Sequence, residues 1–469
     1  AVISSAQNAV QALRYSRYEP FGTSRFLSQA GATGALGGDL SSALINPAGL
    51  AFYRTSEFSV SPSLYWVNTR SDFKGSVMDD SELKFNIGSL GLVNSFNNNS
   101  QSGFVGATWA IGYQTLANFN NRTTLMTINQ TSSLLDDFVW HANQDPDNLN
   151  PFYEQLAFDT YLMPYDEEAE MYWHDMAIDG YGQEQSRLSQ QSGYIGEYSL
   201  SGAVNFSNLL YFGAALGIHS VRFSEEIYHT ETDLNDRIID FDQFRFREFN
   251  STRGWGYTFR MGMILRPTQL FRVGASFQLP TYYRLTDEKF TDMRSYWDRG
   301  SGIEDASEDS PSGIYDYQLR TPFRANAHLS VIVLKAASLS AGYEYVDYSN
   351  SRLDAYDYRF MDENDQIRGD FGAAHNISAG AEIRIQSLYL RGGTRYMMSP
   401  FKDESIESDT WVYTGGLGFR TRSMYVDLGY AHSGRTEVQG LYAYEPGLNE
   451  VTINDRKAST LMLTVGFRF

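Results

Sequence analysis

The chain has 469 residues, of which 15% are aromatic (Tyr 32, Phe 30, Trp 7), with 40 Gly, 12 Pro and no Cys. Its 37 Lys and Arg stand against 56 Asp and Glu, a formal net charge of −19, which argues against a nucleic-acid partner because phosphates need a basic surface. The lack of cysteine excludes disulfides, thiolate metal sites and cysteine nucleophiles.

A membrane stays open despite a mean hydropathy of −0.38. No stretch approaches the roughly 20 apolar residues of a spanning helix, yet strands that alternate polar and apolar residues cross a bilayer without such a stretch. The start, Ala1-Val2-Ile3-Ser4-Ser5, has no basic and apolar leader, so it reads as a mature chain whose export signal has been removed.

Residues 1–55 do not alternate. They are rich in small residues, as in Gly31-Ala32-Thr33-Gly34-Ala35-Leu36-Gly37-Gly38-Asp39, which permits tight turns in a confined space. Asn46-Pro47-Ala48-Gly49 is by itself a turn sequence. No Gly-Lys-Ser/Thr follows the glycine run, so a phosphate cradle is not expected.

From residue 56 onward the pattern alternates. Trp255, Tyr257, Phe259, Met261 and Met263 interleave with Gly256, Thr258, Arg260 and Gly262, and Leu461, Leu463, Val465, Phe467 and Phe469 with Met462, Thr464, Gly466 and Arg468. With ~9–11 residues per crossing as the yardstick, strands are expected near 57–67, 84–96, 104–117, 193–206, 209–230, 243–265, 270–288, 314–334, 338–349, 370–385, 388–399, 409–420, 424–435 and 458–469. Short connections alternate with long ones near 68–83, 118–192, 231–242, 289–313, 350–369, 400–408 and 436–457, as in outer-membrane barrels. The terminal Phe469 resembles their assembly signal. The expectation is an all-β transmembrane antiparallel barrel of about fourteen strands in the outer membrane of a Gram-negative cell. Residues 1–55 then form a plug in a lumen too wide for wall side chains to fill, 56–469 form the barrel, and the long 118–192 loop is extracellular with some helix.

Two apolar stripes mark that loop: Leu125, Met126, Ile128, Leu134, Leu135, Phe138, Val139 and Trp140 approximate one helical face, and Phe152, Leu156, Ala157 and Tyr161 another. Arg260, Arg272, Arg384, Arg391 and Arg420 fall on the inward face, where a charge network with Glu344, Glu382 or Asp427 is expected. Asp362, Asn364 and Asp365 are a weak calcium candidate without EF-hand spacing. No other metal and no cofactor is expected. The seven His (141, 174, 219, 229, 328, 375 and 432) form no catalytic motif, so an enzyme is not expected.

The run from Gly31-Ala32 through Ala35-Leu36-Gly37-Gly38-Asp39-Leu40-Ser41-Ser42 to Asn46-Pro47-Ala48-Gly49-Leu50-Ala51 resembles the hatch signature of the FadL family of hydrophobic-compound transporters. Gly254-Trp255-Gly256-Tyr257 and Arg272-Val273-Gly274-Ala275-Ser276-Phe277 are similar to a mid-barrel hairpin of that family. The resemblance implies a monomeric fourteen-stranded barrel taking up small hydrophobic compounds, such as long-chain fatty acids, by passive diffusion. It assigns the hatch to Asn46, Pro47, Ala48 and Gly49. It places a lateral exit where the third strand kinks, with Gly103, Gly106 and Gly112 as candidates, and a hydrophobic landing site at Leu125, Ile128, Leu135, Phe138, Phe152 and Leu156. The implied partners are a hydrophobic small molecule, lipid or detergent, together with outer-membrane lipid and lipopolysaccharide. The competing reading is a FadL-like secretion shuttle that engages a secretion or surface-protein partner. About 30 residues before the signature, and the 118–192 loop, depart from the family pattern.

Overall fold

The structure is a computed structural model that describes residues 2–19, 21–98, 100, 102–298, 303–334, 336–403, 409–445 and 448–469. Several expected connections therefore include residues outside that set: 99 and 101 in the 97–102 turn, 335 in the 335–337 turn, and 299–302, 404–408 and 446–447 in long loops.

Fourteen strands form one closed antiparallel wall. They are β1 (Glu57–Phe73), β2 (Ser76–Asn97), β3 (Phe104–Asn118, continued by Asn121–Ile128), β4 (Glu184–Phe206), β5 (Leu210–Thr232), β6 (Phe241–Leu265) and β7 (Phe271–Gln278 and Tyr282–Asp298). Then follow β8 (Gly313–Arg320 and Arg324–Val333, with Ile303–Asp309 ahead of them), β9 (Ala337–Asp347), β10 (Ala373–Ile385), β11 (Leu388–Met397), β12 (Thr410–Arg420), β13 (Met424–Glu445) and β14 (Leu448–Arg468). The first strand closes on the last, from Glu57↔Arg468 to Asp72↔Ile453. Both chain ends of the wall thus lie at the short-turn end.

Alternation sets the wall's two faces. Outward residues such as Trp255, Tyr257, Met261, Met263, Leu417, Phe419, Leu463 and Phe467 are exposed, whereas inward Thr258, Arg260, Asp427 and Thr464 are buried. Phe58, Phe96, Phe104, Phe206, Phe271, Phe419 and Phe467 ring the outside near the short turns. Tyr198, Trp255, Tyr257, Tyr343, Trp411 and Tyr430 form a second outer ring farther up, the aromatic girdles that flank a barrel's apolar band.

The long loops at 68–83, 289–313 and 436–457 differ from expectation, because most of their described residues are strand, whereas 231–242 keeps a connection over 233–240. β2 is 22 residues long and β6 is 25, and β1 passes into β2 through Lys74 and Gly75 alone, both at positive φ. At ~3.3 Å per residue such strands are about 70–80 Å long, far more than the band needs. The upper halves form a collar beyond the girdle. Acidic and polar side chains on both faces masked its alternation.

The N-terminal segment fills the interior. It runs through α1 (Val2–Ser16), α2 (Ser24–Leu27) and α3 (Ser42–Ile45) into a 3₁₀ turn, Pro47–Phe52. Ala32, Ala35, Asn46, Ala48 and Leu50 are fully buried. Its hydrogen bonds reach all sides of the cylinder: Ser24 N–H to Thr464, Arg25 to Glu382, Thr414 to the Ser28 carbonyl, Asn46 to the Met263 carbonyl and Ser276 to the Ile45 carbonyl. α4 (Leu134–Ala142), α5 (Glu154–Asp159) and α6 (Asp175–Asp179) lie in the 118–192 connection and α7 (Met361–Asp370) in the connection between β9 and β10. No helix among the described residues is long and apolar enough to cross a membrane.

Candidate functional site

The Asn46-Pro47-Ala48-Gly49 element is a capped turn clamped to the wall. Asn46 Oδ1 accepts from the Ala48 N–H at 3.2 Å, and Nδ2 donates to the Met263 carbonyl of β6 at 3.3 Å. Two wall glycines make this approach possible. A Cβ on Gly262 would lie 2.1 Å from Asn46 Oδ1, and one on Gly213 of β5 would lie 2.3 Å from the Pro47 carbonyl carbon. Phe52 then stacks on Tyr211 at 4.1 Å, with Arg272 over its other side at 4.1 Å.

The wall is not equally sealed all round. The β2–β3 ladder runs from Asn97↔Gly106 to Ser89↔Gln114 and stops, although β2 continues to Ser76 and β3 continues beyond Gln114. A bulge at Thr115/Ala117 turns β3 away from β2. There β3 gains a different partner: the Glu19 N–H donates to the Leu116 carbonyl at 2.8 Å and the Phe21 N–H to the Thr115 carbonyl at 3.1 Å. Side chains bridge the opened seam. Thr115 Oγ1 donates to the Ile87 carbonyl at 2.7 Å, and Asp80 accepts from the Thr124 N–H at 2.6 Å and its hydroxyl at 3.0 Å. Gly103 lies in the turn before β3 at φ +69. Gly106 and Gly112 sit in the paired part, facing Asn97 and Gly91, so the bend begins three residues beyond Gly112. Gly91 and Gly112 leave room for Leu40 of the plug, whose Cδ atoms would lie 2.6 and 3.4 Å from added Cβ atoms.

Two cavities flank Tyr18, Glu19 and Phe21. One is apolar, lined by Phe21, Phe26, Leu27, Tyr65, Met397, Val412, Ala431 and Ala458. The other is polar, lined on the wall side by Arg260, Gln278, Arg324, Asn326, His328, Glu344, Asn376, Ser378 and Arg395, with Leu44, Ile45 and Leu116 opposite. Ala30, Gly31 and Arg395 border both.

The interior charges pair off. Arg391 binds Glu382 at 2.7 Å and Asp427 at 2.8 Å, Arg420 binds Asp427 at 3.0 Å, and Arg25 of the plug joins Glu382 at 3.1 Å. Arg260 grips Glu197 with both nitrogens, at 2.7 and 2.6 Å. Its partner is thus Glu197 rather than any of the three expected carboxylates. Glu197 also meets His219 at 2.8 Å, and His219 lies 2.5 Å from the Tyr283 hydroxyl. Arg324 and Arg395 share Glu344 at 3.2 and 3.3 Å. Two expectations need correcting. Arg272 has a carbonyl partner, Leu36, and the Phe52 ring instead of a carboxylate. Arg384 is exposed beside the β10–β11 turn, bonded to the Gln386 carbonyl, because it lies at the end of its strand.

The 118–192 connection packs into the collar. Leu125, Leu135, Phe138 and Leu156 are buried in one apolar cluster with Phe73, Phe241, Phe244, Phe246, Met293 and Trp297. Phe152 is half-buried against Gly313, and Ile128 is exposed. Residues 125–128 are strand, not the start of a helical stripe. Glu231 fastens α4 by accepting from Ser133 Oγ at 2.7 Å and the Leu134 N–H at 2.8 Å. Burial pushes the Tyr153 hydroxyl of this cap up to about 12, beside Glu248 and Lys289. Asp362, Asn364 and Asp365 lie on α7, where Asn364 bonds the Leu353 N–H and carbonyl and Asp365 pairs with Arg368. No group of three or more metal-ligating side chains converges among the described residues.

The polar cavity escaped sequence reading as a site. Its signal was the inward alternation Arg324, Asn326, His328 within the 314–334 strand.

These features define a class: a closed fourteen-stranded antiparallel barrel plugged by its own N-terminal segment, with one opened seam. No family model matches the chain, and no curated protein matches it. Solved structures do. A FadL homologue of Pseudomonas aeruginosa aligns over 96% of this chain and 98% of its own at 13% identity, with a TM-score of 0.57. The P. putida toluene transporter TodX aligns over 96% and 99% at 10% identity and a TM-score of 0.51, and the monoaromatic hydrocarbon channel CymD over 97% and 99% at 11% and 0.50. At such identities the likeness is one of fold, and the fold is that of FadL and TodX.

Proposed function

We propose that this protein is an outer-membrane channel for passive uptake of small hydrophobic compounds. The observation that carries the reading is the joint arrangement of plug and seam. The axis of the cylinder is filled by residues of the plug, and the β2–β3 ladder ends at Ser89↔Gln114, beyond which β3 bonds instead to Glu19 and Phe21, two plug residues that also line the apolar cavity. An open edge is expensive in lipid unless something covers it. Here the plug covers it through Glu19 and Phe21, so a shift of the plug uncovers the seam. A compound in the apolar cavity then leaves sideways into the bilayer and never enters bulk water. Burial of apolar surface at roughly 25 cal/mol per Å² supplies the affinity. Monoaromatic hydrocarbons, named for the structural relatives, and long-chain fatty acids both belong to the class of compound proposed.

The seam can be stapled. Asp80 and Thr124 already touch across it, and the chain has no other cysteine to interfere. An Asp80→Cys, Thr124→Cys double variant is expected to take up a hydrophobic tracer at the parental rate when reduced and at least about fivefold more slowly when oxidised. Equal rates in both states, with the disulfide confirmed by mass, would refute a release that requires β2 and β3 to part at the collar end of the seam.

A further inference from the structure

We propose that the polar cavity recognises a neutral hydroxyl group, so that the preferred substrates are compact hydrocarbons bearing an alcohol or phenol. This rests on the channel reading above and narrows it.

The argument starts from what the cavity's polar groups already do. Its three guanidinium groups are occupied: Arg260 by Glu197 and Gln278, Arg324 by Glu344 and the Ser16 carbonyl, and Arg395 by Glu344. Asn376 is also spent, donating to Glu344 at 2.8 Å and accepting from the Met398 N–H at 3.1 Å. His328 is different. It is 6% exposed, it lines the cavity, and neither ring nitrogen has a hydrogen-bond partner. Buried polar atoms are nearly always satisfied, and an exception calls for an explanation.

A neutral imidazole offers one donor and one acceptor. The complement is a group that accepts once and donates once, and a hydroxyl does both. A carboxylate would use only the donor and would have to compete for guanidiniums already engaged, and a plain hydrocarbon would leave both nitrogens unpaired. Asn326 and Ser378, also on the cavity wall, give a hydroxyl further neutral partners.

The plug controls access to the ring. Gly34 lies directly over it, since a Cβ there would come within 2.4 Å of His328 Cδ2 and Nε2. From the other side, a Cβ on Gly342 would reach Nδ1 at 3.0 Å. Lifting the Gly34 turn opens the imidazole to the cavity. The apolar rim of Leu44, Ile45 and Leu116 then holds the hydrocarbon body while the hydroxyl meets His328.

The test uses the full chain in lipid nanodiscs, titrated calorimetrically with toluene, p-cresol and p-toluate against empty nanodiscs. p-Cresol is expected to bind about tenfold more tightly than the other two. His328→Leu should lower cresol affinity about tenfold relative to toluene and so abolish that preference, whereas His328→Gln, which keeps a donor and an acceptor, should retain most of it. Equal binding of cresol and toluene, or tighter binding of toluate, overturns hydroxyl recognition while leaving the channel reading intact. Absence of binding by all three overturns this inference, and the channel reading falls separately if a long-chain fatty acid also fails to bind.

Discussion

Strand β6 passes through two surroundings without changing which residues face inward. In its lower half the inward residues are Thr258, Arg260 and Gly262, and the outward ones are Trp255, Tyr257, Met261 and Met263. In its upper half the inward residues are Phe244 and Phe246, both buried in the collar cluster, and Arg245 and Arg247 face out. Parity is conserved and polarity inverts. Below, the outside is apolar and the inside must satisfy a polar plug; above, the outside is water and the inside packs an apolar cluster around a few buried, hydrogen-bonded polar groups such as Glu231 and Glu248. The inversion falls near Ser251–Arg253, and the outward apolar run below it covers roughly the ten residues that cross a bilayer. β7 and β8 make the same transition differently. Both break beside a proline, at Leu279–Thr281 and Thr321–Phe323, and the outward positions switch from odd to even across each break. Since proline cannot donate to a ladder, the break is where parity can change, and Thr321 Oγ1 accepts the Thr281 N–H in compensation.

If this inversion is the organising feature, its two halves fail in different ways. The largest effect is expected inside the lower half. Glu197→Ala strands Arg260 in the interior, which typically costs about 3–5 kcal/mol for a buried pair that loses one member. Replacing both residues with apolar ones of similar volume should restore most of the loss. Urea midpoints of the barrel refolded into vesicles measure both. A double variant as unstable as the single one would show that the lower interior does not tolerate apolar filling. Next comes the outside. Met261→Arg, at the centre of the apolar run, should cost about 2–4 kcal/mol. Removing the outward charge of the upper half, by Arg247→Met, should change stability by about 1 kcal/mol or less, because its bridges to Glu226 and Asp292 are partly exposed. Equal costs at the two positions would remove the distinction between lipid and water on which the comparison rests.

How much of this the sequence exposes depends on which half is read. Strand number, closure and the plug are legible because lipid demands an unbroken outward alternation, as in Trp255–Met263. The collar is not, because water tolerates polar residues on the outer face and the cap supplies its inner packing. Residues 68–83 thus look like an acidic loop though they are strand. Short apolar runs were ambiguous for the same reason, and Leu125–Ile128 fits a helix or a strand equally well until Arg187, Ser186, Gln185 and Glu184 of β4 pair with it. In the interior, the Arg391–Glu382 pair was legible because the two residues face each other on neighbouring strands, and Asp427 joins them across one intervening strand. Arg260–Glu197 was not, since the two residues lie 63 positions apart, across one intervening strand, with no adjacent pair to anchor them. His328 was visible only as one of seven histidines. Its lack of partners is a property of the packed interior.

A comparably small effect is expected in the piece that makes the lower half different. Asn46 joins plug to wall through two bonds of different kinds, a local cap on Ala48 and a long-range bond to Met263. Asn46→Ala removes both and should cost about 1 kcal/mol, the usual value of a lost cap. Asn46→Ser keeps an oxygen for Ala48 and gives up Met263, which separates the two contributions. The informative readout is amide exchange. If the plug opens as its own unit, the amides of residues 48–53 should exchange faster in Asn46→Ala while β5 and β6 stay protected. Local opening of this sort would let a channel closed along its axis admit a compound without unfolding its wall. If β6 loses protection to the same degree, plug and wall form one cooperative block, and the plug cannot shift while the barrel stays whole.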